Sequence, residues 1–88
     1  MSDFDRNLGA IVRATRERQA LSVTELAGAA DVDEARLRAL EQGEPGTTYG
    51  QLLRVARALG MPPPELVELA ERGATDSTPG RPNTSEAE

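Results

Sequence analysis

Apolar residues in this chain recur at three- and four-residue intervals rather than alternating, so the pattern is helical as far as about Gly73. Leu8, Ile11, Val12 and Thr15 form one stripe, with Arg6, Arg13 and Arg18 off it. Asp3 or Asp5 is suited to cap this first helix and complement its dipole, and the helix should end around Gln19. Leu26, Ala27 and Ala30 share a face of a shorter second helix. Its start carries a capping box, in which Ser22 takes an orphan amide and Glu25 reaches back. The run breaks at Asp31, a residue type that tolerates a left-handed turn. Val32 then plugs inward and Asp33 is placed to cap a third helix. Leu37 and Leu40 repeat at i, i+3 in that helix before Gly43 ends it. Glu44-Pro45-Gly46-Thr47 is a turn-forming cluster, and Thr48 with Gln51 makes a second capping box. The fourth helix has Leu52, Leu53, Val55, Ala56 and Leu59 inside and Arg54 and Arg57 outside, and Gly60 stops it. Met61 faces inward, and Pro62-Pro63-Pro64 opens a fifth helix, where proline is tolerated in the first turn. Leu66, Leu69 and Ala70 continue the core; Glu65 and Glu68 suit the positive end of this helix and Arg72 its far end.

Neither the second nor the third helix is long enough to persist alone in water. Each must pack on the other and on its flanking helices, and two short helices joined by a tight turn make a helix-turn-helix. The expected fold is therefore all-α, a compact five-helix bundle with the helix-turn-helix at its second and third helices. Beyond Gly73 the composition turns to Ala, Thr, Asp, Ser, Pro, Gly and Asn without apolar period. Such a segment buries too little surface to offset its ordering entropy. This reading divides the chain into a domain at 1–73 and a disordered tail at 74–88.

Composition narrows the chemistry. At 88 residues the chain holds one small domain. Without Cys or His it has neither disulfides nor the usual zinc ligands, and catalysis by a nucleophile paired with histidine is excluded. Neither a membrane-length apolar run nor an opening signal segment is visible, so a cytoplasmic protein without cofactor is expected. The net charge is −5 and every basic residue is Arg. A dedicated nucleic-acid binder is usually basic, so any such role here has to rest on a local stripe of arginines on an acidic body.

Arg16, the Leu-Ser-x-x-Glu-Leu-Ala run at Leu21–Ala27, Val32, the Leu40-Glu41-x-Gly43 ending and the Leu52–Gly60 run occur together without a gap. In this combination the chain, from Leu8 to about Leu69, resembles the phage-repressor, Cro-like (XRE-type) helix-turn-helix family of bacterial DNA-binding regulators, whose domain is lambda-repressor-like. The resemblance implies that Arg16 pairs with Glu41 and locks the first helix to the third. It places Ala20 where the family often has Gly; a left-handed Ala there costs roughly 1 kcal/mol. Thr15 stands where the family prefers a large apolar residue, which thins the core.

The same resemblance implies binding to double-stranded DNA, with the third helix in the major groove. Carried over residue by residue, the DNA-facing set is Arg13, Arg16, Ser22, Val23, Asp33, Glu34, Ala35, Arg36, Arg38, Ala39, Thr48 and Tyr49. Arg38 is suited to a bidentate contact with guanine and Arg36 to a phosphate. Glu34 only accepts hydrogen bonds, from a cytosine or adenine amino group, and Ala35 and Ala39 touch at most a thymine methyl. Amides at Thr48, Tyr49 and Gly50 are expected to hold a phosphate, with the Tyr49 hydroxyl beside them or, alternatively, half-buried. Several positions depart from the family: Val23 replaces a phosphate-capping Gln, Asp33 replaces a Ser or Thr, and Glu44 lies in a loop that is often basic. The family also implies a homodimer on a pseudo-palindrome, joined through Met61, Pro63 and Val67. A second reading stays open beside this one: a protein-interaction module of the same fold, antitoxin-like or regulator-docking, in which Arg36 and Arg38 pair with neighbouring acids and the front meets a protein partner.

Overall fold

The structure, a computed structural model, describes residues 3–76. Five helices follow one another: α1 (Asp3–Arg18), α2 (Val23–Ala30), α3 (Glu34–Glu41), α4 (Tyr49–Ala58) and α5 (Pro63–Asp76). The helix-turn-helix falls at α2 and α3, as the apolar spacing requires. Helix α5 runs three residues past the expected boundary at Gly73. The rest of the tail, 77–88, lies outside the described residues.

Each expected turn has a visible cause. Ser22 and Glu25 close a reciprocal capping box at α2, with Glu25 N–H donating to Ser22 Oγ at 3.0 Å and Ser22 N–H to Glu25 Oε1 at 2.8 Å. Asp31 ends α2 in the left-handed region at φ 57°, and the Val32 amide then bonds back to the Ala27 carbonyl at 3.0 Å. That return turns the chain sharply enough to bury Val32 and start α3 across α2. Thr48 and Gln51 form the second capping box, at α4. Asp33 departs from expectation: it occupies the N-cap position of α3, but its side chain makes no cap hydrogen bond. The first turn of α3 lies at the surface, where water can serve orphan amides that a buried helix start would have to satisfy with a side chain.

The core is a single apolar cluster between the helices. Leu26, Leu37, Leu40, Leu66, Val12 and Val55 are fully enclosed, one or two from each helix. Ile11, Met61 and Val67 pack half-buried at its edge, and Leu53 and Leu69 are also only half-buried. Helix α1 packs on α5 and α3, α2 packs on α4 and α3, and α4 touches α5. Helix α3 thus has one side on the core and one in water. Thr15 is the buried polar residue at the thin point of the core, and Arg18 Nη2 donates to its hydroxyl at 3.3 Å.

Ala20, at the slot where the resemblance often puts Gly, sits at φ 59°, in the left-handed region. Its Cβ makes that conformation unfavourable by roughly 1–2 kcal/mol. Glycine removes the strain but adds conformational freedom to the unfolded chain. Ala20→Gly should therefore raise stability by about 0.5–1 kcal/mol, measured as a higher midpoint in urea unfolding at unchanged slope.

Candidate nucleic-acid interface

An enclosed ion pair ties α3 to α1. Arg16 on α1 donates from Nε to Glu41 Oε2 at 2.7 Å and from Nη2 to Glu41 Oε1 at 3.0 Å. Its remaining arm, Nη1, donates to the Leu21 carbonyl at 2.8 Å, tying the same guanidinium to the turn before α2. Both side chains are largely enclosed, at 11% and 7% exposure. The hydrogen bonds to Glu41 push the Arg16 pKa further up, against the opposing effect of burial. Arg16 joins three segments of the motif, and each of its three nitrogens donates to one of them.

Arg13, Arg16, Val23 and Arg38 converge on a notch of about 250 Å³ between α1, the start of α2 and α3, which Glu41 and Gln42 also line. Four of the residues expected at the interface are therefore brought together. Gln42, at the exposed end of α3, belongs to the same wall, and nothing in its spacing marked it. Arg13 lies at the surface and donates through Nε to Glu17 at 3.2 Å, a pair exposed on both sides and easily exchanged for a phosphate.

On the front of α3, Arg38 Nη2 donates to Glu34 Oε2 one turn earlier, and Thr24 Oγ1 on α2 donates to Glu34 Oε1 at 2.9 Å. The bonds from Arg38 and then Thr24 hold the Glu34 carboxyl below the ordinary carboxylate range. Thr24 was not legible as a partner, because its only signal is a hydroxyl on the first turn of α2. Asp33 and Ala35 are exposed beside this network and Ala39 is half-buried.

Arg36 corrects the expectation of a phosphate contact. Its guanidinium turns away from the front and under the loop after α3, where Nη2 donates to the Pro45 carbonyl at 3.2 Å. A Cβ at Gly46, which has φ +111°, would lie 2.9 Å from Arg36 Nη1, so the loop backbone rests directly on this group. The Nε atom is buried there without a hydrogen-bond partner among the described residues, as is Thr47 Oγ1. Sequence spacing could not show this, because the partner is a backbone carbonyl in a proline-containing turn.

The start of α4 is also narrower as an anion site than expected. The Thr48 amide is taken by Gln51 Oε1 at 3.0 Å, leaving Tyr49 and Gly50 as the first-turn amides without intrahelical acceptors. Tyr49 is 69% exposed, which settles its alternatives against half-burial and leaves its ring in solvent. Ser22, at the corresponding place before α2, has both its hydroxyl and its amide in the capping box.

Two short helices, α2 and α3, joined by a left-handed turn at Asp31 and packed on each other and on α1 and α4, define a helix-turn-helix protein. The family comparison agrees: a model described as a helix-turn-helix domain matches residues 7–69, and the chain belongs to that family. It is similar to the solved structure of the clp gene regulator ClgR from Corynebacterium glutamicum, with 27% identity and a TM-score of 0.75 over 84% of this chain and 79% of that one. A second structure of ClgR from the same organism aligns at 28% identity and a TM-score of 0.72, covering 81% of this chain and 91% of that chain. No curated protein sequence matches. Among the described residues, no helix is long and apolar enough to cross a membrane, and no cluster of His, Cys, Asp or Glu is placed to hold a metal ion.

Proposed function

We propose that this chain is a bacterial, cytoplasmic transcriptional regulator that binds double-stranded DNA at specific sequences through α3. The observation that carries the reading is the Arg16–Glu41 fork, which holds a two-turn helix rigidly at the surface with Arg38 in solvent. Arg38 contacts base edges. Arg13 and the amides of Tyr49 and Gly50 hold phosphates on either side. One α3 makes few base contacts, so the protein acts as a homodimer on a pseudo-palindrome, with Met61, Pro63 and Val67 at the seam. Family membership and the gene-regulator structures support this assignment and point to a non-enzymatic protein.

Selection of duplexes from a randomised pool tests it. The expected result is a retained site whose affinity falls steeply as salt rises, because phosphate contacts release counterions. Arg38→Ala should weaken binding and broaden the preference. If no duplex is retained at low salt, the DNA reading is wrong.

One observation favours a second reading. Arg38 is paired with Glu34, Arg36 is turned to Pro45, and Asp33 and Glu44 are exposed nearby, so the front of the motif has little uncompensated positive charge. On that reading α3 docks on a protein partner, and binding would be insensitive to duplex DNA.

A further inference from the structure

Resting on the DNA reading above, we propose that Arg38 and Glu34 act as one composite reading head for a single G·C base pair, with guanine under Arg38 and cytosine under Glu34. The two residues lie one helical turn apart on the front of α3 and are exposed at 57% and 39%. Their mutual bond uses one of the five N–H donors of the guanidinium and one acceptor site on the carboxylate. Thr24 takes a second acceptor site, leaving about two free. Free donors therefore remain on the Arg38 side of the pair and free acceptor sites on the Glu34 side, which is a pair of donors followed by an acceptor when both meet one base pair.

The major-groove edge of G·C presents acceptor N7, acceptor O6 and donor N4–H in that order; A·T presents acceptor, donor, acceptor. The Arg38–Glu34 edge complements the first pattern at all three positions. Against A·T two of the three contacts become like-facing-like, and against the reversed C·G pair both ends do. Neither residue alone carries this discrimination: Arg38 alone is satisfied by any two acceptors, and Glu34 alone by an adenine or a cytosine amino group.

Two further observations concentrate the reading on this pair. The Thr24 hydroxyl reaches across from α2 and fixes the carboxylate relative to the whole motif, so the acceptor is already oriented before DNA arrives. Ala35 and Ala39 on α3 bring no polar groups, Arg16 and Arg36 are bonded elsewhere, and Arg13, on α1, is paired with Glu17.

The test uses the full chain and the duplex recovered by selection, with base analogues at the preferred G·C pair. Replacing guanine with 7-deazaguanine removes the N7 acceptor, and N4-methylcytosine blocks the donor facing the groove. Each replacement should weaken the native protein by roughly 5- to 100-fold. Glu34→Ala should lose its sensitivity to N4-methylcytosine while keeping that to 7-deazaguanine, and Arg38→Ala the reverse. Both side chains are at the surface, and unchanged helical circular dichroism checks that the variants fold. The inference is overturned if the native protein binds a specific duplex with no response to N4-methylcytosine, or if Glu34→Ala keeps that response. In either case the DNA reading survives; retention of no duplex at all overturns both.

Discussion

Glu41→Ala is expected to destabilise the domain by about 3–5 kcal/mol, the usual result of leaving one member of an enclosed ion pair unpartnered. Arg16 would keep a positive charge at 11% exposure with two of its three donor arms empty. For a domain of this size that loss lowers the thermal midpoint by roughly 15–30 °C, and it is measured by circular dichroism during heating. The direction of the Arg16 shift points the same way, since its hydrogen bonds to Glu41 are the largest influence on it. The converse experiment separates the pair from its burial. Replacing both partners at once, Arg16→Met with Glu41→Leu, removes the charges together, so it should recover most of the loss. Recovery stays incomplete because Arg16 Nη1 also serves the Leu21 carbonyl, and an orphaned buried acceptor costs about 1–3 kcal/mol. A cycle in which Glu41→Ala costs less than 1 kcal/mol would show that α3 is held by Leu37 and Leu40 alone.

That pair also shows how far the sequence could be read. The helices, both capping boxes, the left-handed Asp31 and Ala20 and the Arg16–Glu41 contact follow from local rules or from residues at a recognisable spacing. Local rules suffice because each of these features involves neighbours in the chain or a pairing that the motif geometry repeats. What was not legible depends on where a long side chain lies among alternatives of similar energy. Arg36 has a carbonyl, a phosphate and water available to it, and only the course of the Glu44–Thr47 loop selects the carbonyl. The pairing of Arg38 with Glu34 one turn earlier was open from helical spacing, but the bond from Thr24, on another helix, to the same carboxylate was not. The positions on α3 were thus legible, while the contacts of Arg36 and Thr24 were decided by tertiary structure that carries no periodic signal.

Gly9→Ala should destabilise by about 3 kcal/mol, reversing the sign of a substitution that ordinarily favours a helix by about 1 kcal/mol. The apolar stripe of α1 was read as Leu8, Ile11, Val12 and Thr15, and Gly9 had no part in it. In the structure Gly9 is buried, and α1 crosses α3 at this residue. A Cβ there would stand 2.3 Å from the Leu40 carbonyl oxygen and 2.8 Å from that of Glu41. Both obstacles are backbone, so no side-chain rotation relieves them and the two helices must separate. Separation also pulls Glu41 away from Arg16, so the packing loss and the ion-pair loss arrive together and exceed either effect alone. Gly28 supplies the internal control: it lies within α2, and a Cβ added there meets nothing within 4 Å. Gly28→Ala should accordingly stabilise by about 1 kcal/mol through helix propensity alone. Opposite signs for the two variants in parallel urea unfolding would establish the α1–α3 crossing as a contact that sets the height of α3. Equal signs would mean that α3 is positioned from α2 instead.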